Sequence, residues 1–278
     1  KSAKFLRLAL QHGAIIAVDS MDELLLIENL MRHLTCPKVQ ILLRVCSFSS
    51  THTKIQAKDT RFGVDIKKIE TYYRWLRERT QIELIGLSFH LNAANAQEKM
   101  IAIEHSLTAL TQAASYGLSP TVLNIGGGFR VSYIESSTEW DDYQSALKKS
   151  VIDGGEPMSW DGSGLGYRNE KGTLQGAPQF ADSYISQTPA NELRTILHCA
   201  LPTFNNASFK QVLEDFGFEL WIEPGRAMLD QVGMTVGRVL SVKQSAKGEH
   251  VVVLDMNRSN LNSQDLIVLS DPTIIYQT

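Results

Sequence analysis

The residues with chemical potential in this chain sit at the ends of short apolar runs. Asp19 closes a run at 14–19, Arg44 one at 39–45 and His90 one at 83–90. Gly126, Gly127 and Gly128 follow a run at 121–125, and Glu223-Pro-Gly-Arg226 follows one at 218–222. Three consecutive glycines after an apolar run let backbone N–H groups approach an anion with no Cβ in the way, although a tight turn needs the same residues. The Gly-Lys-Ser/Thr tail of a nucleotide-binding loop is missing. Glu223 and Arg226 flank a Pro-Gly turn. The guanidinium suits phosphate or carboxylate, and the carboxylate suits a base or the partner of a ring nitrogen; a plain surface pair uses the same residues. His90 has no second ligand at metal spacing beside it, so no metal site is expected. No Gly-x-Ser-x-Gly elbow supports a serine nucleophile.

These residues need elements to hold them. Ser20-x-x-Glu23 has the spacing of a helix capping box, and Leu24, Ile27, Leu30, Met31 and Leu34 recur at helical spacing until Cys36-Pro37 stops them. Asp65 caps a second helical pattern over Ile66, Ile69, Tyr72, Tyr73 and Leu76. Met100, Ile103, Leu107, Leu110 and Ala114 make a third, and Phe209, Val212, Leu213 and Phe216 a fourth that ends at Gly217. Five strands alternating with helices predict a parallel sheet with helical crossovers, either doubly wound or part of an eight-stranded barrel. If the chemistry lies at the strand ends, it lies where ligands bind in both architectures. After about residue 232 the pattern turns to β, with runs at 234–243 and 250–255 around Ser-Ala-Lys-Gly reading as a hairpin. Residues 136–189 hold one helical stretch near 140–147 and a Gly-rich polar segment at 160–168, a long connection of the kind that is either a functional loop or partly mobile.

Composition narrows the class. The chain has 278 residues, 43% of them hydrophobic, and a net charge of −3, which is ordinary globular composition. Such a balance argues against nucleic acid as a partner. Three scattered cysteines, Cys36, Cys46 and Cys199, suit a reducing cytoplasm better than a disulfide scaffold. No apolar run approaches membrane-spanning length, and no signal peptide is recognised, so a cytoplasmic protein without a membrane partner is expected.

The order of the strand-end groups is more specific than any one of them. Asp19-Ser20, Leu43-Arg44, Arg61-Phe-Gly63, Ser88-Phe-His90, Ile125-Gly-Gly-Gly-Phe129 and Glu223-Pro-Gly-Arg226 together resemble the fold-type III pyridoxal-phosphate (PLP) decarboxylases, which include ornithine, arginine and diaminopimelate decarboxylases. The resemblance implies an α/β fold: a PLP-binding (β/α)8 TIM barrel, of which strands four to eight are present, followed by the start of a C-terminal β domain. The expected domains are 1–231 and 232–278. It further implies that His90 stacks on the pyridine ring and that Gly126, Gly127 and Gly128 hold the phosphate. Glu223 pairs with the ring nitrogen, while Gly225, Arg226 and, with a looser match, Arg44 lie against the cofactor. His90 and Glu223 are the expected catalytic residues. The implied reaction is loss of a carboxylate as CO2 from a small amino acid through a quinonoid intermediate, in a homodimer.

Parts of the family pattern are missing. The Schiff-base lysine of the first barrel strand has no counterpart, and Lys1–Gly13 aligns with the helix after strand three. A late Cys-Glu-Ser-x-Asp and Gly-Ala-Tyr are also absent. The chain is therefore read as part of a longer enzyme, because half a barrel exposes strand edges that natural domains cover. By itself it is expected to show no turnover. The alternative is a non-catalytic PLP-binding or regulatory relative that pairs with an active decarboxylase. Ala93 stands where the family often has a phosphate-binding serine, leaving Asn92 or Asn95 as substitutes.

Overall fold

The computed structural model describes residues 1–49, 61–91, 96–156, 158–159, 162–180, 182–246, 248–257 and 275. The helices are α1 Ala3–Gln11, α2 Met21–Met31, α3 Ile69–Arg77, α4 Ala96–Ala113, α5 Ser137–Asp153, α6 Pro189–His198 and α7 Phe209–Phe216. The strands are β1 Ile16–Val18, β2 Val39–Cys46, β3 Val64–Asp65, β4 Ile82–Ser88, β5 Val122–Asn124 and β6 Tyr167–Glu170. They continue as β7 Thr173–Gly176, β8 Ala200–Leu201, β9 Ala207–Ser208, β10 Glu219–Trp221, β11 Val239–Gln244 and β12 His250–Leu254. The chain divides into one unit of residues 1–129 and 189–228 and a second of residues 130–188 and 229–278.

The first unit is built on a parallel sheet ordered β1-β2-β4-β5-β10, with β3 beside β2. The five expected strands are thus neighbours in chain order. A doubly wound sheet reverses direction partway, whereas strands laid down successively are the arrangement of a barrel wall. Val18, Leu43, Leu87, Leu123 and Leu220 stand in one register row across the sheet. Leu43, Leu87 and Leu123 are fully buried, and Ile103 and Leu107 of α4 and Val212 of α7 belong to the same core. A register shift after Ile41 pairs Leu42 with Gly86. A side chain at Gly86 would collide with the Val122 carbonyl oxygen, so only glycine lets β4 and β5 approach there.

Local capping chemistry sets where the helices begin. Ser208 and Gln211 form a reciprocal capping box at α7, and Gly217 ends that helix at φ +66°. At α2 the expected box is only half made. Ser20 accepts from the Glu23 N–H, but Glu23 turns to the Asp19 N–H and the Lys1 ammonium instead. Burial alone pushes the Glu23 carboxyl up; hydrogen bonds to Lys1 and to the Asp19 amide overcome this and hold it below its usual range. Asp65 does cap a turn, a short 3₁₀ helix Ile66–Lys68 that leads into α3.

In the second unit, α5 is capped by Ser136 and covers the helical stretch expected near 140–147. Trp140 is buried, stacked on Tyr143 at 5.6 Å and edge-on to Phe180 at 5.7 Å. The Gly-rich segment leads into an antiparallel β6–β7 hairpin, and β11 and β12 form the hairpin expected from the late β pattern.

Candidate functional site

The register of the sheet explains why the candidate residues meet. Arg44, Ser88, Asn124 and Trp221 occupy the row that follows the leucines. His90, Gly126 and Glu223 each lie two residues further along. Hydrogen bonds continue the ladder past the strand ends: Phe89 N–H to Asn124 O at 3.0 Å, Ile125 N–H to Trp221 O at 3.0 Å and Glu223 N–H to Gly126 O at 2.9 Å. Three residues spread over 133 positions are thereby held in adjacent places at one edge of the sheet.

Asn124 joins them. The residue is 8% exposed, its Oδ1 accepts from the Gly126 N–H at 2.8 Å, and its Nδ2 donates to Glu223 Oε1 at 3.0 Å. The other carboxylate oxygen of Glu223 lies 3.4 Å from His90 Nδ1, which also faces the Gly127 N–H at 3.3 Å. One ring nitrogen has either a proton or a lone pair, so His90 Nδ1 serves Glu223 or Gly127 but not both at once. The carboxylate and the imidazole are half-exposed, 55% and 31%. They are accessible to a ligand while their bases are fixed.

The glycines are required by this closeness. A Cβ at Gly126 would strike the Phe89 carbonyl oxygen, and one at Gly127 would stand 2.5 Å from the Glu223 carbonyl oxygen. Gly126 and Gly128 also have positive φ, +71° and +84°. The three amides are not equivalent. Those of Gly126 and Gly127 face Asn124 and His90, and among the described residues the Gly128 N–H has no acceptor, so it is the donor best placed for an incoming anion.

Arg44 lies two register positions below His90, Gly126 and Glu223, and is half-buried. Its guanidinium carbon is 5.5 Å from the Phe62 ring centre, and among the described residues its buried Nε has no hydrogen-bond partner. A buried donor without an acceptor is costly and signals a place for one. Gly225 and Arg226 open a short 3₁₀ turn, Gly225–Met228, one residue after Glu223, with Arg226 exposed. Asn92, Ala93 and Asn95 lie outside the described residues. Sequence reasoning overlooked Asn124 as a site residue, although it lies within an apolar run two residues before the first glycine, and overlooked Lys99 in the first turn of α4.

Residues 1–156 match the family model for the pyridoxal-dependent decarboxylase, pyridoxal binding domain. The chain is 26% identical over 259 residues to the uncharacterized protein y4yA of Sinorhizobium fredii, covering 92% of this chain and 49% of that protein. It is 25% identical over 268 residues to diaminopimelate decarboxylase of Bacillus subtilis, covering 92% and 48%. Among solved structures, diaminopimelate decarboxylase of Helicobacter pylori complexed with L-lysine superposes with a TM-score of 0.59 at 17% identity, over 96% of this chain and 53% of that one. The arginine decarboxylase of Paramecium bursaria Chlorella virus gives 0.53 at 20% identity, over 98% and 56%. These structures share the fold, and the chain spans about half the length of the curated relatives it matches.

Proposed function

The chain belongs to the pyridoxal-dependent decarboxylase family, matched through its pyridoxal-binding domain, and from that premise we propose that it forms the cofactor-cradling side of a PLP-dependent amino-acid decarboxylase. The observation that carries the proposal is the Asn124 bridge, which ties the glycine turn to the Glu223 carboxylate beside His90. The chemistry of the donor set fits the cofactor: an open amide at Gly128, an aromatic ring at His90, an accessible carboxylate at Glu223 and an unmatched buried donor at Arg44. PLP, when bound, supplies a conjugated ring that takes up the electrons left behind as a carboxylate departs as CO2.

Each residue has a distinct task in this reading. Glu223 keeps a proton at the ring nitrogen, and Asn124 orients its carboxylate for that. His90 presents a flat face to the ring. The Gly128 amide binds the phosphate, with Arg226 and Arg44 contributing positive charge. The substrate is an α-amino acid, in keeping with relatives named for diaminopimelate and ornithine. We place the protein in the cytoplasm as a homodimer; light scattering on the purified full-length protein tests the dimer, and cell fractionation tests the location.

The functional test uses the full-length protein reconstituted with PLP. Glu223→Ala is expected to lower CO2 release about a hundredfold or more while PLP binding falls far less. Equal losses in both would show that Glu223 only supports the fold, and a full-length protein that binds no PLP would sink the proposal.

A further inference from the structure

Lys99 has no task in the reading above, yet it is placed against the same turn. Its side chain is 1% exposed, among the most buried large side chains of the protein. Its ammonium donates to Glu192 Oε1 of α6 at 2.6 Å and stands 4.4 Å from the centre of the Phe129 ring. A Cβ built on Gly128 would lie 3.9 Å from both Cε and Nζ of Lys99, so the end of this side chain is packed against the last glycine of the turn.

An ammonium has three N–H donors, and among the described residues Glu192 Oε1 is its hydrogen-bond acceptor. Stability alone accounts poorly for such a pair. Taking two charges out of water costs about as much as their attraction returns, and apolar replacements are often neutral or better. A cation held dry beside an anion-binding turn is worth more, since charge-assisted bonds strengthen where water is excluded.

We propose that Lys99 is a phosphate-directed binding residue: it sets an ammonium against Gly128, and Glu192 fixes that end of the Lys99–Glu192 pair toward the turn. The inference rests on reading the glycine turn as the PLP phosphate cradle. The phosphate carries about −1.5 to −2 charges at neutral pH, whereas the turn itself offers only neutral amides. Lys99 adds to Arg226 and Arg44 in making the cradle prefer the phosphorylated cofactor over its unphosphorylated form. An ammonium paired with a carboxylate has no lone pair, so Lys99 acts by charge and not as a nucleophile.

The test measures affinity for PLP and for pyridoxal in the full-length protein stripped of cofactor, and takes their ratio. Lys99→Met is expected to lower that ratio roughly tenfold or more. Where the single variant unfolds because Glu192 is left unpaired, Lys99→Met/Glu192→Met removes both charges, keeps the fold and shows the same drop. Lys99→Arg, which keeps the charge, retains most of the ratio. A double variant with the wild-type ratio overturns the inference and makes the pair structural. A wild-type protein that binds PLP no better than pyridoxal overturns the cradle reading itself, which is a separate failure.

Discussion

Replacing Asn124 by leucine removes two hydrogen bonds whose energies differ for a physical reason. The Gly126 N–H is buried, so losing its acceptor at 2.8 Å leaves a donor that water cannot reach, at about 1–3 kcal/mol. The bond from Nδ2 to Glu223 Oε1 at 3.0 Å reaches a carboxylate that is 55% exposed. Water replaces that donor, and screening keeps the loss below about 1 kcal/mol. Asn124→Leu should therefore destabilise the fold by about 1–4 kcal/mol. Asn124→Asp keeps an acceptor for Gly126 and loses only the donor to Glu223, with a screened repulsion added, so it should cost less than about 1 kcal/mol. Urea denaturation of the cofactor-free protein, compared at constant m, measures both. Both variants free the Glu223 carboxylate, so both should reduce CO2 release. An aspartate variant as unstable as the leucine variant, or a leucine variant within about 0.5 kcal/mol of wild type, would refute the assignment of the cost to the Gly126 amide.

Arg44→Met removes the guanidinium, including a buried Nε that has no acceptor among the described residues, while keeping an unbranched apolar stem. Stability should stay level or rise by up to about 1 kcal/mol, while PLP affinity falls several-fold; a loss of stability with unchanged affinity would make Arg44 structural. Tyr73 is fully buried, donates to Ala109 O at 2.9 Å, and burial pushes its hydroxyl well above the usual tyrosine range. The folded state then holds a proton that the unfolded state releases above about pH 10, so this contribution is complete below that pH and is lost as pH rises. Tyr73→Phe should cost about 1 kcal/mol near neutrality and flatten the alkaline part of the stability–pH curve; parallel curves for the two proteins would contradict this.

Much of the scaffold follows from local pattern. The apolar runs ending at Asp19, Arg44, His90, Ile125 and Ile222 can bury themselves only as strands of a covered sheet, and the strands form in those places and in chain order. Ser208 with Gln211, and Gly217 after them, bound a helix by bonds that reach no further than four residues. The glycines at 126–128 were legible as a turn for the same reason, and the ordered strand-end groups pointed to the family that the comparisons support.

The assignment of partners lay beyond local pattern. Parallel strands are joined by long crossovers, so no turn fixes their register; that is settled when the leucine row packs beneath α4 and α7. Only then do Arg44, Ser88 and Asn124 share a row, and only then does the Asn124 amide find Glu223, 99 positions away. The box expected at Ser20 came out half made because the Asp19 amide and Lys1 competed for the Glu23 carboxylate. Lys99 reads in sequence as one more charged residue on a helix. Its burial against Phe129 and Glu192, 93 positions away, depends on where α6 returns to the sheet, and a charge leaves water only when such a partner is delivered to it.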